Sequence, residues 1–111
     1  MKTITIVRSR WLRNNGMSAQ SVLLDEQGRK CCLGFAICQI SKLPKERLLD
    51  KMCPRDVFAK ESFLTDEDLW DNELATDAMA INDYYGITEA EREKKLTNLF
   101  RKHGFKLRFV D

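Results

Sequence analysis

Apolar and polar residues alternate at both ends of this chain, and the alternation predicts a strand at each end. Thr3–Val7 is rich in β-branched residues, and Phe105–Val110 places apolar side chains at alternate positions, as a half-buried strand does. Ser21–Leu24 is a third short apolar run, and the turn after it contains Gly28, which can adopt a positive φ. We therefore expect about three strands.

Apolar residues recur at helical spacing in three longer segments, which are residues 30–41, 72–85 and 88–103. Thr88 and Glu91 match a capping box at the start of the last segment. A further short helix is predicted after Pro44, because proline suits the first turn of a helix. Gly34 lies inside the first helix, where glycine costs about 1 kcal/mol relative to alanine. We therefore expect another backbone or a large ring to pack closely against it.

These elements predict an α+β fold, with a small antiparallel sheet of about three strands and three to four helices packed on it. The 111 residues are expected to form a single domain over residues 1–111. Hydrophobic residues make up 43% of the chain and charged residues 32%, which is typical of a soluble globular protein. No apolar run approaches the roughly 18 residues of a membrane span, and residues 1–7 lack the long apolar region and cleavage site of a signal peptide. We therefore expect a cytoplasmic protein that does not bind a membrane and whose cysteines are reduced.

The net charge is only +2, but basic and acidic residues lie in separate blocks. Residues 1–60 hold 12 Lys or Arg against 5 Asp or Glu, residues 61–91 hold 10 Asp or Glu and no Lys or Arg, and residues 92–111 hold 7 against 2. Charge separated in this way steers a charged partner toward one face of a protein. The alternative is that the blocks neutralise each other in the fold or form solvated faces.

The acidic block surrounds an aromatic residue and is the predicted partner-binding face. Its members are Asp66, Glu67, Asp68, Trp70, Asp71, Glu73 and Asp77. Carboxylates around an aromatic ring would meet a basic patch on a host protein or imitate a nucleic-acid backbone. They fit equally well as charges at a helix N-terminus around a buried Trp70. The calcium-loop pattern is absent.

A second set of residues predicts, as an alternative function, a pocket that sequesters a nucleotide or another small ligand. Its members are Arg8, Arg10, Trp11, Arg29, Asn82 and Asp83. Cations beside Trp11 suit a nucleotide or a single strand, although the net charge of the chain does not indicate nucleic acid. Two other interpretations are open: Trp11 packs inward while its arginines stay in water, and Asn82 and Asp83 bond nearby backbone.

Cysteine chemistry is the third alternative, as a cysteine-dependent or zinc enzyme. The residues concerned are Cys31, Cys32, Cys38, Cys53 and His103. A helix N-terminus and the neighbouring Arg29 and Lys30 would favour a thiolate at the adjacent pair. Zinc sites, however, pair cysteines two to four residues apart, and a thiol nucleophile needs a base within reach. We therefore expect Cys32 to be a buried core residue. We also expect the protein to bind neither a metal nor a cofactor.

Several short motifs extend over most of the chain. They are Arg8–Leu12, Leu23-Leu24 with the Gly28 turn, Lys30–Phe35 with the sequence KCCLGF, Ile81–Asp83, Glu91–Glu93 and Leu99-Phe100. This layout resembles a group of small proteins encoded by bacteriophages and bacteria, of which the KCCLGF-type segment is the most specific mark. The resemblance implies a phage or prophage setting and assigns no catalytic residue. We therefore expect a small phage-type protein that binds a host macromolecule, preferentially a host protein, in host takeover or defence inhibition and without catalysis.

Overall fold

Strands at the two ends of the chain enclose three helices in the computed structural model, which describes residues 2–13, 21–40, 44–51 and 72–111. The elements are β1 (Lys2–Val7), α1 (Cys32–Ile40), α2 (Asn72–Asp83), α3 (Glu89–Lys102) and β2 (Phe105–Val110). Two short 3-10 helices cover Arg8–Arg10 and Lys45–Leu48. The predicted α+β class is therefore confirmed.

The sheet differs from the prediction in strand number and direction. In the described residues it has two strands, β1 and β2, which run parallel, so the expectation of about three antiparallel strands is not met. The register pairs Ile4 with Leu107, and both side chains are buried. The alternation along Phe105–Val110 correctly indicated the buried face of β2, but alternation carries no information about strand direction.

Ser21–Leu24, the predicted middle strand, does not join the sheet that the described residues form. Its backbone groups bond to separate segments instead. The Leu23 N–H donates to the Lys51 carbonyl at 2.8 Å, and the Cys31 N–H donates to the Val22 carbonyl at 3.0 Å. Parallel strands need a long crossover connection, and the chain between β1 and β2 supplies it.

The helices cover the sheet and one another. α1 packs against β1, α3 packs against β2, and α2 packs against both α1 and α3. The buried side chains of all five elements form one apolar cluster, to which Leu33, Leu74, Leu96 and Phe100 contribute with no exposed surface. Burial of this cluster is the main stabilising term of the fold.

Gly34 allows α1 to approach the backbone of the preceding segment. A Cβ atom at this position would lie 1.9 Å from the Leu23 carbonyl oxygen, a distance no side chain can occupy. The predicted close approach is therefore confirmed, and the neighbouring group is a backbone carbonyl.

The edge of β1 that faces away from β2 is covered by a side chain. Gln39 of α1 donates from Nε2 to the Thr5 carbonyl at 2.6 Å and accepts the Thr5 N–H at 2.8 Å. The amide thus makes the two bonds that a neighbouring strand would make, and satisfying an edge in this way disfavours pairing with another chain.

The capping signals of α3 are confirmed. The Thr88 hydroxyl accepts the Glu91 N–H at 3.1 Å, as the capping box predicts. Gly104 follows the helix with a φ of +90°, which glycine adopts without strain. These two signals fix the ends of α3, which carries Arg92, Lys94, Lys95, Arg101 and Lys102.

Candidate functional site

Asn82 lies at the centre of a buried hydrogen-bond network and is only 1% exposed. Its Oδ1 accepts the Trp11 indole N–H at 2.7 Å and the Cys32 backbone N–H at 3.1 Å. Its Nδ2 donates to the Leu12 carbonyl and to the Asp83 carboxylate, both at 2.9 Å. An amide oxygen accepts two bonds and an amide nitrogen donates two, so Asn82 has no capacity left for a ligand.

This geometry decides between the interpretations of Asn82 left open above. The local-backbone interpretation is not what the structure shows, since the main partners of Asn82 lie about 50 to 70 residues away in the chain. Trp11 packs inward, with 3% of its surface exposed. Trp11 and Asn82 do lie together, as the predicted ligand pocket required. They bond each other, however, and not a ligand.

Arg92 joins α3 to the C-terminal end of α2 and is also 1% exposed. Its Nη1 donates to the carbonyls of Ile81 and Asn82, both at 2.8 Å, and its Nε donates to Glu89 at 3.3 Å. The last carbonyls of a helix lack partners within the helix and favour a positive charge. Arg92 therefore supplies from α3 the cation that the last turn of α2 lacks.

Arg8 and Arg13, at the N-terminal basic end, bond carboxylates of the C-terminal half of the chain. Arg8 makes two bonds to Glu93, at 2.9 and 2.8 Å, and one to Asp111 at 3.0 Å. These bonds raise the pKa of Arg8 above its usual value. Arg13 forms an ion pair with Glu89 and lies over the indole ring of Trp11, 4.2 Å from its centroid. The charge blocks thus partly neutralise each other inside the fold.

Arg10 and Arg29 hold the turn between Asp25 and Arg29. Arg10 donates to the Gln27 carbonyl at 2.7 Å, and Arg29 donates from Nε to the Asp25 carboxylate at 2.7 Å. Burial alone would raise the pKa of Asp25, but the hydrogen bonds from the backbone and side chain of Arg29 hold it below its usual value. Of the predicted ligand residues, the structure brings Trp11, Asn82 and Asp83 into one network and places the arginines in other pairs.

The two adjacent cysteines are buried. Cys31 is 4% exposed and Cys32 not at all, although α1 begins at Cys32, two residues after the predicted start at Lys30. Burial raises the pKa of Cys31 to about 11 and that of Cys32 well above its usual value, since loss of water disfavours a thiolate. Burial therefore outweighs the backbone N–H groups at the start of α1, which favour the thiolate. Cys32 is a core residue, as expected.

The other residues considered for cysteine or metal chemistry do not join this pair. Cys38 is half-buried, and burial raises its pKa as well. His103 is the C-cap residue of α3, where its N–H donates to the Phe100 carbonyl at 3.0 Å. Cys53 lies outside the described residues. Within the ranges that the structure covers, no three His, Cys, Asp or Glu side chains are grouped so as to hold a metal ion.

The predicted acidic face is described only in part. Asp66, Glu67, Asp68, Trp70 and Asp71 lie outside the described residues. Glu73 and Asp77 are exposed on α2, where Ala80 continues the same stripe at the next turn. The described part of the block is therefore a solvent-facing stripe of α2 that leads toward Tyr84.

Tyr84 and Tyr85 directly follow α2 and form an exposed aromatic surface. Tyr84 is 53% exposed and Tyr85 is 82% exposed, with ring centroids 6.0 Å apart. Beside Tyr84 is an apolar cleft of about 200 Å³, also lined by Ile87 and Lys95. The sequence signal for this surface is a pair of large aromatic residues before Gly86. They do not continue the apolar spacing of α2.

The cleft is small for a site that encloses a whole ligand, since pockets for drug-sized molecules have volumes of about 300 to 1,000 Å³. It is lined by Ala80, Ile81, Tyr84, Ile87 and Lys95, and none of these belongs to the predicted ligand-binding set. The cleft therefore fits one group of a larger partner better than a complete small molecule.

Comparisons with family models, with curated proteins and with solved structures find no match to this chain. Among the described residues, no helix has both the length and the apolar character needed to cross a membrane.

Proposed function

We propose that this protein acts by binding a host macromolecule in the bacterial cytoplasm, without catalysis, in the phage or prophage setting implied by the resemblance above. The observation that carries the proposal is the exposure of Tyr84 and Tyr85 beside an apolar cleft. In the described residues, Leu49 is the one other large hydrophobic side chain with comparable exposure, at 40%. Exposed tyrosines are enriched among the residues that dominate binding energy at interfaces.

The tyrosines stand on a rigid support. Asn82 and Ile81, directly before them, offer their carbonyls to the buried Arg92 at 2.8 Å, and the Asn82 side chain is bonded to Trp11 and Cys32. A contact surface that is already ordered loses less conformational entropy when it binds. The buried network thus supports binding by fixing the surface next to it.

The state of the polar residues supports a non-catalytic role. The Cys31 thiol is buried with a raised pKa, whereas a nucleophilic cysteine needs an accessible thiolate. Asn82 uses all of its hydrogen-bonding capacity within the protein. Cys31 and Asn82, which belong to the sequence motifs, therefore serve to hold the fold beside Tyr84 and Tyr85.

Photocrosslinking from the tyrosine position tests the proposal. A photoreactive residue in place of Tyr85 in the full chain would be irradiated in lysate of the host bacterium, with and without Tyr84→Ser. We expect a discrete crosslinked macromolecule whose yield falls at least about fivefold with Tyr84→Ser, since contact residues at the centre of an interface contribute more than 1 kcal/mol. Leu49→Ser is the matched control, because it removes an exposed apolar side chain elsewhere.

Two results would overturn the proposal. One is a crosslink yield that Tyr84→Ser and Leu49→Ser reduce equally, which would mean that the tyrosines are ordinary surface residues. The other is turnover of a nucleotide or peptide substrate by the purified protein.

A further inference from the structure

α3 presents a stripe of basic side chains to solvent. Lys94, Lys95, Arg101 and Lys102 are all exposed, and seven residues separate the first and second pairs. Because seven residues are close to two helical turns, the four side chains lie on one face of the helix. Asn98, also exposed, lies between the two pairs. We call these five residues the α3 stripe.

The carboxylates near α3 are already bonded to other groups. Glu93 and Asp111 bond Arg8, and Glu89 pairs with Arg13 and Arg92. Among the described residues, no carboxylate forms an ion pair with a cation of the α3 stripe. The N-terminal arginines therefore pair with Glu89 and Glu93, while the exposed Glu91 carboxylate accepts the Thr88 hydroxyl at 3.3 Å. The cations of α3 face solvent.

The α3 stripe is continuous with the exposed tyrosines. Lys95 and Tyr84 line the same cleft, and Tyr85 lies next to Tyr84 with the two rings inclined at 35°. Proteins bind single-stranded nucleic acid with aromatic rings beside a row of cations. The bases stack on the rings, and the phosphates lie along the cations.

We propose that the tyrosines and the α3 stripe bind single-stranded nucleic acid, an inference that rests on the proposed function and names the class of its partner. From Lys95 to Lys102 the stripe is about 10 Å long at 1.5 Å per residue. A stripe of that length contacts only a few consecutive phosphates of an extended strand. The bases stacked on Tyr84 and Tyr85 lengthen the site further.

A single strand explains the surface better than a duplex or an acidic protein does. In a duplex the base faces are stacked on each other and unavailable to Tyr84 and Tyr85. An acidic protein would use the cations of α3 but would gain no stacking from the rings. The net charge of +2 gave no sign of nucleic acid because Asp77 and other acids on α2 offset α3, and they confine the strand to the α3 side.

The test is fluorescence anisotropy of the full-length protein with labelled 12-mers of deoxythymidine and of uridine. We expect log K to fall linearly with log salt. Lys95→Gln with Arg101→Gln should weaken binding and make that slope shallower by about 1.4, which is about 0.7 for each lost phosphate contact. Tyr84→Leu should weaken binding about fivefold or more, because stacking contributes at least about 1 kcal/mol per base.

Lys45→Gln with Lys51→Gln is the matched control, since both lysines are exposed and the pair removes the same charge from another part of the surface. The control should leave both the affinity and the salt slope close to wild type. Circular dichroism melts of every variant verify that the fold is retained.

Three results would overturn the inference: no binding of either 12-mer at 50 mM salt, equal weakening by the control pair, or equal affinity for a 12-bp duplex. A protein crosslink from position 85 together with any of these would leave the proposed function intact. Loss of that crosslink as well would remove both.

Discussion

At the scale of single residues, burial decides what Cys31 can do. Its sequence position has three features that favour a thiolate: a helix N-terminus, Arg29 and Lys30. The structure nevertheless gives a thiol that is 4% exposed with a pKa of about 11. Desolvation exceeds the effect of the backbone N–H groups of Gly34 and Leu33, which favour the thiolate. That balance depends on tertiary packing, which the local sequence does not contain.

The raised pKa of Cys31 makes the stability of the protein depend on pH in alkaline solution. A thiol that ionises near 9.0 when unfolded and near 11 when folded keeps its proton in the folded state between these values, so stability falls as pH rises through that window. Cys31→Ala abolishes this contribution. We expect the variant's loss of stability, relative to wild type, to be about 1 kcal/mol smaller at pH 10 than at pH 8.

Urea unfolding at the two pH values measures this difference, and each comparison is made at one pH so that the titration of other residues cancels. An unchanged difference between wild type and Cys31→Ala at pH 8 and pH 10 would show that the thiol ionises normally in the folded protein.

Gly34 gives a second prediction at the residue scale, because two effects of opposite sign compete there. An alanine inside a helix normally stabilises it by about 1 kcal/mol relative to glycine. Here the new Cβ would lie 1.9 Å from the Leu23 carbonyl oxygen, a backbone atom that cannot rotate away. We expect Gly34→Ala to destabilise the protein by about 3 kcal/mol, measured by thermal or urea unfolding. A neutral or stabilising result would mean that α1 is not held against this segment.

At the scale of elements, the motifs of the KCCLGF-type layout meet in one place. Trp11 and Cys32 both donate hydrogen bonds to Asn82. Gly34 allows the backbone of Leu23 to approach α1, and Arg92 binds the end of α2. The motifs thus join the segment after β1 to α1, α2 and α3. Sequence analysis identified the motifs and the helices, because capping and periodicity are local, but it could not show that polar residues 70 positions apart bond each other.

Arg92 tests the importance of this junction. Arg92→Met keeps the length of the side chain and removes the donors to Ile81 and Asn82, which leaves two buried carbonyls without that partner. We expect a loss of about 3 kcal/mol in unfolding free energy. The matched control is Arg101→Met on the exposed face of the same helix, with an expected loss below about 1 kcal/mol. Equal losses would show that Arg92 does not hold the end of α2.

At the scale of the whole molecule, the parallel pairing of β1 with β2 joins the first and last elements of the chain. Lys2 is opposite Phe105 and Val7 is opposite Val110. The residue pattern predicted both strands and, for β2, the buried face, because these depend on the type and period of the side chains alone. The direction and pairing of the two strands depend on how α1, α2 and α3 pack between them. No local feature of the sequence therefore indicated that the strands run parallel.

This topology also predicts the order of folding. Pairing β1 with β2 closes a loop that includes nearly the whole chain, and such closure costs entropy before any contact repays it. The pairing of α2 with α3 needs only the short connection at residues 84–88. We therefore expect α2 and α3 to be packed in the folding transition state and β1 to join afterwards.

Leu96→Ala in α3 and Ile4→Ala in β1 distinguish these steps, since each removes a fully buried side chain at an expected cost of about 2 to 5 kcal/mol. Leu96→Ala should mainly slow folding, with a φ-value above about 0.5, whereas Ile4→Ala should mainly speed unfolding, with a φ-value near zero. Stopped-flow chevron plots of both variants measure these rates. A φ-value for Ile4 equal to or above that for Leu96 would place strand pairing in the transition state, and the nucleus would then include both ends of the chain.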